Sequence, residues 1–151
     1  MVIEGIYQKI TKGVKIEKRP EGLFRRPGMS FELVKQPGFP HRDEYHMSIK
    51  YIGHKVGYCL LGKPLDGDYA SLSYLSIDDK FRGYGFSIDA LDMVNELFQK
   101  KWRRKGLLKN EILEENKDDK IDVKMAKYKI YERMGWRMTH NPSGEMVLDL
   151  K

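Results

Sequence analysis

Residues 76 to 87 read SIDDKFRGYGFS: an arginine, two glycines one residue apart, and then at once an amphipathic pattern. A strand that passes through a glycine turn into a helix leaves the first N–H groups of that helix unpaired and aimed at one point, which attracts phosphate. Gly83 and Gly85, on either side of Tyr84, let a pyrophosphate approach the backbone, and Arg82 adds a fixed cation. Two nucleotide motifs fail the comparison. There is no G-x-x-x-x-G-K-[ST], and Ile88 stands where a dinucleotide fingerprint needs its third glycine. His41, His46, His54 and His140 show no metal-ligand spacing, so no metal is expected. Cys59, inside VGYCLLG, reads as a small core thiol.

The turn needs a strand before it and a helix after it, and the chain supplies both. YASLSYLSI, 69 to 77, alternates as a strand, preceded by EYHMSIKYI and KVGYCLLG around a hairpin signal at Gly53 and His54. Three strands joined by short turns make an antiparallel meander. From Phe86 the period changes to about 3.6 residues, with Ala90, Leu91, Val94, Leu97, Phe98 and Trp102 on one face of a helix. LLKNEIL, 107 to 113, reads as a strand, ENKDDK as a charged loop, and 122 to 134 as a second helix stopped by Gly135. WRMTH and EMVLDL flank NPSG as a closing hairpin, whereas prolines and glycines keep residues 1 to 44 irregular, with short strands at VKIEK and SFELVK.

Length and composition bound the rest. At 151 residues, 40% of them hydrophobic, the chain is expected to form a single domain, 1–151, with a core of its own. A net charge of +6 favours polyanionic partners or an anionic cofactor. KKWRRK, 100 to 105, reads as a solvated helix end before it reads as a nucleic-acid patch. A lone cysteine and the lack of a charged-then-apolar leader point to the cytoplasm, and the apolar runs are too short for a membrane span.

A glycine turn after an antiparallel strand resembles the GNAT superfamily of acyl-CoA-dependent N-acetyltransferases, whose motif is [Q/R]-x-x-G-x-[G/A]. The motif fits from Lys80 as K-F-R-G-Y-G or from Arg82 as R-G-Y-G-F-S. The second register is preferred, because it places Ala90, Leu91 and Val94 where the family's helix is apolar. IYERMGW, 130 to 136, is similar to the family's xYexxGF segment, and the likeness covers about residues 45 to 150. The resemblance implies an α+β fold: a mixed, mostly antiparallel central sheet, helices on both faces and a C-terminal hairpin. It implies acetyl-CoA as cosubstrate, its pantetheine arm paired with the strand at Leu75, Ser76 and Ile77 and its pyrophosphate cradled by Arg82, Gly83, Tyr84, Gly85, Phe86 and Ser87. An amine attacks the thioester directly, and Tyr131 protonates the leaving thiolate.

The chain departs from the family in two places. Where some relatives carry a strand glutamate as base, it has Tyr69 or Ser71, which leaves Asp68, His46 and Glu44 as candidates. Residues 1 to 44 lack the family's two acceptor-side helices, so the acceptor amine is expected to be either a small molecule or a macromolecule. The alternative is a non-catalytic GNAT-like module that binds nucleic acid or a protein through its basic surface. Exposed strand edges admit a homodimer.

Overall fold

The computed structural model describes residues 8–11, 14–19, 25–108, 128–139 and 145–150. The helical expectation over 122–127, the charged loop, the end of LLKNEIL, His140 and NPSG lie outside these residues. The described segments form a two-stranded ribbon, β1 (Gln8–Thr11) with β2 (Val14–Glu17), and one open seven-stranded sheet. The sheet is built from β3 (Met29–Gln36), β4 (Arg42–Tyr51), β5 (His54–Pro64), β6 (Tyr69–Ile77), β7 (Lys105–Leu108), β8 (Trp136–Met138) and β9 (Met146–Leu148). Its order is β3-β4-β5-β6-β7-β9-β8, and every neighbouring pair is antiparallel except β6 with β7. This is the mixed, mostly antiparallel sheet expected from the sequence.

Alternation makes the meander. Met47, Ile49 and Tyr51 of β4, Cys59 and Leu61 of β5, and Ala70 and Leu72 of β6 are fully buried on one face. The β4–β5 turn is one residue earlier than its glycine signal suggested. Ile52 (φ 50°) and Gly53 (φ 79°) both take positive φ, the geometry that matches the twist of a two-residue hairpin. The closing hairpin is present, but its second strand β9 inserts between β7 and β8, pairing Gly106 with Leu148 and Trp136 with Leu148.

Helix α1 (Phe86–Glu96) covers the apolar face, burying Phe86, Ile88, Ala90, Leu91, Met93 and Val94. Its last stretch, Leu97–Trp102, is wound as a π-helix, where Phe98 stacks on Trp102 and Trp102 meets Tyr45. Within KKWRRK, Trp102 is therefore a packing residue. Arg104 donates to the carbonyls of Pro64 (2.6 Å) and Tyr69 (3.1 Å), so its cation fixes a loop. Helical residues 128–133, α2, join the same core through Asn95, which donates to Met134 O (2.7 Å) and accepts from Trp136 Nε1 (2.9 Å). No described helix is long and apolar enough to cross a membrane.

Gly106 marks the tightest point of this packing. A Cβ there would stand 2.7 Å from the Trp136 ring, 2.9 Å from Leu148 Cβ and 3.0 Å from the Phe98 ring. Gly106→Ala is expected to lower stability by roughly 1–3 kcal/mol through overpacking, read as a fall in the urea midpoint at constant m-value.

Candidate functional site

Strand β6 carries the site: among the described residues only its first part is paired on both sides. Its parallel pairing with β7 runs from Tyr69↔Lys105 to Leu72↔Leu108. On the other side β5 follows it to Ile77, with a bulge that leaves Ser73 as the extra residue between Leu72 and Tyr74. From Ser73 to Ile77, β6 is thus paired on the β5 side alone among the described residues, an edge of about 13 Å at 3.3 Å per residue. The N–H of Asp78 bonds back to Val56 O (2.8 Å), so by strand alternation the backbone groups of Leu75 and Ile77 face the open edge and those of Ser76 face β5.

The open edge leads directly into the glycine turn. After a short 3-10 turn (Asp79–Phe81), Gly83 (φ 88°) and Gly85 (φ 81°) both adopt the left-handed conformation, and Gly85 caps α1. Nothing lies within 4 Å of where a Gly83 Cβ would be, so glycine is needed there for its backbone alone. Ser87 sits half-buried within the first helical turn at an ordinary φ, where the backbone makes no demand for glycine. Ile88 N–H bonds to Gly85 O (3.1 Å), while the N–H groups of Phe86 and Ser87 belong to the unpaired first turn.

Arg82 stands beside this turn and reaches backwards. Its Nε donates to Ile77 O (2.9 Å) and its guanidinium pairs with Asp79 (3.0 Å) in an exposed setting. Two arginines from the front segment hold the turn instead. Arg26 Nη2 donates to Tyr84 O and Arg19 Nη1 to Gly85 O, each at 2.5 Å. Arg26 also donates from its backbone N to Asp89 Oδ1 (2.8 Å), from Nε to Asp89 Oδ2 (2.9 Å) and from Nη1 to Glu17 O (3.0 Å), and it stacks 4.1 Å above the Phe86 ring. Burial pushes the Asp89 carboxyl up, and the Arg26 hydrogen bonds and charge pull it back. For Arg19 burial pulls the guanidinium down, Asp89 opposes this, and nearby Arg26 and Arg133 add to it.

Tyr131 of α2 is buried, edge-on to Trp136 with ring centroids 6.1 Å apart. It lies close enough to Cys59 for the two ionisations to oppose each other, and Cys59 pairs across from Leu75 on the open stretch. Burial holds the phenol far above its usual range, so it stays protonated throughout the neutral and moderately alkaline range. The same burial pushes the Cys59 thiol up, as expected of a core thiol.

The three candidate bases part company. Asp68 is exposed in the β5–β6 loop, four residues before Leu72 and so about 13 Å along the strand from the point where β6 and β7 separate. His46 stacks on Tyr58 at 5.0 Å. Glu44 reaches across β5 at Gly62, where the missing side chain leaves room. Glu44 Oε2 and Ser71 Oγ lie 3.3 and 2.6 Å from the point that a Gly62 Cβ would occupy. Arg42 Nε pairs with the Glu44 carboxylate. The register Glu44↔Gly62↔Ser71 therefore carries a carboxylate to the serine next to Leu72.

Sequence reasoning missed Arg19, Arg26, Asp89 and Gly62. Asp89 has a sequence signal, a lone carboxylate among Phe86, Ile88, Ala90 and Leu91. Among the described residues no three His, Cys, Asp or Glu side chains converge as a metal site.

This order of elements occurs in solved structures. A GNAT family acetyltransferase from Elizabethkingia anophelis with acetyl-CoA bound superposes with a TM-score of 0.55 over 83% of this chain and 99% of that one, at 14% identity. An acetyltransferase from Bacillus subtilis in complex with CoA gives 0.57 over 82% and 99%, at 10% identity. The chain has the GNAT fold. No protein-family model matches the sequence, and no curated protein sequence does. At such low identity the GNAT likeness rests on backbone architecture.

Asp89→Asn leaves the buried Arg26 guanidinium without its counter-charge, and stability is expected to fall by about 3–5 kcal/mol in urea unfolding. Arg82→Ala removes an exposed pair and is expected to cost about 1 kcal/mol or less in the same measurement.

Proposed function

We propose that the protein transfers an acetyl group from acetyl-CoA to an amine, in a ternary complex and by direct attack. One observation carries this reading: the open edge of β6 from Ser73 to Ile77 runs without interruption into a turn with positive φ at Gly83 and Gly85 and then into the start of α1. A strand edge accepts an extended arm that bears amides, and a glycine turn at a helix start accepts a pyrophosphate. CoA carries these two features in that order. Leu75 and Ile77 face the edge, with Arg82 already occupying Ile77 O. Arg82 through Ser87 form the phosphate end.

Acetyl-CoA supplies an activated thioester, and the chain supplies positions for protons. Tyr131 keeps its proton at neutral pH because it is buried, which suits it to protonate a departing thiolate. An amine of ordinary pKa, about 10, arrives as the ammonium and needs a base. Among Glu44, His46 and Asp68, Glu44 is the base the geometry favours, because Gly62 lets its carboxylate reach Ser71 beside the parting of β6 from β7.

Thermal shift and native mass spectrometry with CoA test the binding half. A stabilised complex is expected, and Gly85→Val is expected to abolish it, since a side chain there overlaps Arg19 and φ is positive. Release of CoA thiol with a panel of amines tests the chemistry. Tyr131→Phe and Glu44→Gln are each expected to lower kcat by about 10²–10⁴ with little change in the KM for acetyl-CoA, while Asp68→Asn and His46→Gln change it by about threefold or less. Because burial raises the Tyr131 pKa, its ionisation should impose no alkaline limb on the rate below about pH 10. Salt-sensitive RNA or DNA binding that ignores acetyl-CoA would favour a non-catalytic module instead.

A further inference from the structure

We infer that Arg19 and Arg26, from the front segment, are positioning residues that set the glycine turn in its anion-binding shape, and that Arg19 tunes the affinity for the pyrophosphate of the cosubstrate. The inference rests on the acetyl-CoA reading above. A peptide unit is planar and trans, so a carbonyl fixed on one side forces the N–H of the same unit to the other. Arg26 holds Tyr84 O, which fixes the unit containing Gly85 N–H; Arg19 holds Gly85 O, which fixes the unit containing Phe86 N–H. Two successive N–H groups are thereby turned away from the two guanidiniums. Glycine at both 83 and 85 gives the turn many alternative backbone states, and nothing lies within 4 Å of the Cβ position at Gly83 to select one by packing. Ile88 N–H shares Gly85 O, and the two arginines add to the selection by holding Gly85 O and Tyr84 O from the front segment.

The two residues differ in how replaceable they are. The Arg26 side chain is 1% exposed and tied to Asp89, Glu17 O and the Phe86 ring, so its loss disturbs the whole core. Arg19 is 20% exposed, lies 4.0 Å from Asp89 Oδ2 and hydrogen-bonds Gly85 O. Its removal loosens the turn and leaves the buried pair in place. Charge acts in the same direction: two guanidiniums face one carboxylate at the start of α1, leaving one positive charge in excess where the helix end already favours an anion.

The test compares two donors that differ in the pyrophosphate. Arg19→Met is expected to weaken CoA binding, measured by calorimetry, about tenfold or more, as for loss of a charge-assisted hydrogen bond. Turnover with S-acetylpantetheine, which lacks the pyrophosphate, should stay within about twofold of the unsubstituted protein. Arg19→Gln, which keeps a donor for Gly85 O, should recover part of the CoA affinity. In ¹⁵N spectra, the CoA-induced shifts of the Gly85 and Phe86 amides should shrink in Arg19→Met and return in Arg19→Gln. Unchanged CoA affinity in Arg19→Met, or a parallel loss with both donors, overturns the inference while leaving acetyl transfer standing. An unsubstituted protein that binds neither donor overturns both.

Discussion

Excluding a guanidinium and a carboxylate from water costs several kcal/mol per ion, and only a full set of partners offsets it. Arg26 and Asp89 are buried together, and the fold supplies that set: two hydrogen bonds between them, Glu17 O from β2, Tyr84 O from the glycine turn, and the face of Phe86. The partners come from β2, the glycine turn and the first turn of α1. Satisfying one cation therefore fixes the front segment, the turn and the first turn of α1 relative to one another. Tyr51 adds a second tie, its hydroxyl accepting from Glu17 N (2.8 Å) and donating to Lys15 O (3.2 Å), so that β2 is anchored to the same corner of the sheet. A segment with little regular structure is in this way made part of a rigid site.

The sheet contributes the opposite property, a stretch of β6 paired on one side alone among the described residues. Unpaired backbone groups along a strand are a liability at any sheet edge, and here the open stretch lies within the sheet order, between β5 and β7. The bulge at Ser73 shifts the alternation of β6 just beyond Leu72, the last residue of β6 paired with β7 among the described residues. Bulge and parting together re-aim the following residues, so that Leu75 and Ile77 present their polar groups to the gap. Arg82 takes up Ile77 O at the far end. What stays open is a short stretch bounded on one side by the parting and on the other by a bonded carbonyl.

Period was legible in the sequence, and long-range polar pairing was not. The strand at 69–77 and the helix start at Phe86 could be placed to the residue, because alternation of Ala70 and Leu72 and the 3.6-residue spacing of Ala90, Leu91 and Val94 are local signals. Insertion of β9 between β7 and β8 depends on Gly106 accepting Leu148 and Trp136 at close range, which no local pattern encodes. Arg26 lies 63 residues from Asp89, inside a stretch whose prolines and glycines suggested loops. Arg82 drew attention because it adjoins the glycines, yet adjacency along the chain let it bond to Ile77 O five residues back. Glu44 could be named but not chosen from sequence, since its reach depends on Gly62 lying between it and Ser71 in the register.

The two faces of β6 divide the proposed chemistry. Tyr131 is buried in the core, while Glu44, three residues from Met47 on β4 and so on the opposite side of the pleat, lies with Ser71 on the other face. A proton leaving an acceptor amine and a proton arriving at a thiolate are then handled on opposite sides of one strand. Attack of the amine on the thioester carbonyl would give a tetrahedral intermediate between them, which then expels the thiolate. The separation also keeps the carboxylate away from the phenol, which would otherwise be driven still harder against ionisation. In the proposed mechanism a single strand would thus both hold an extended ligand and insulate an acid from a base.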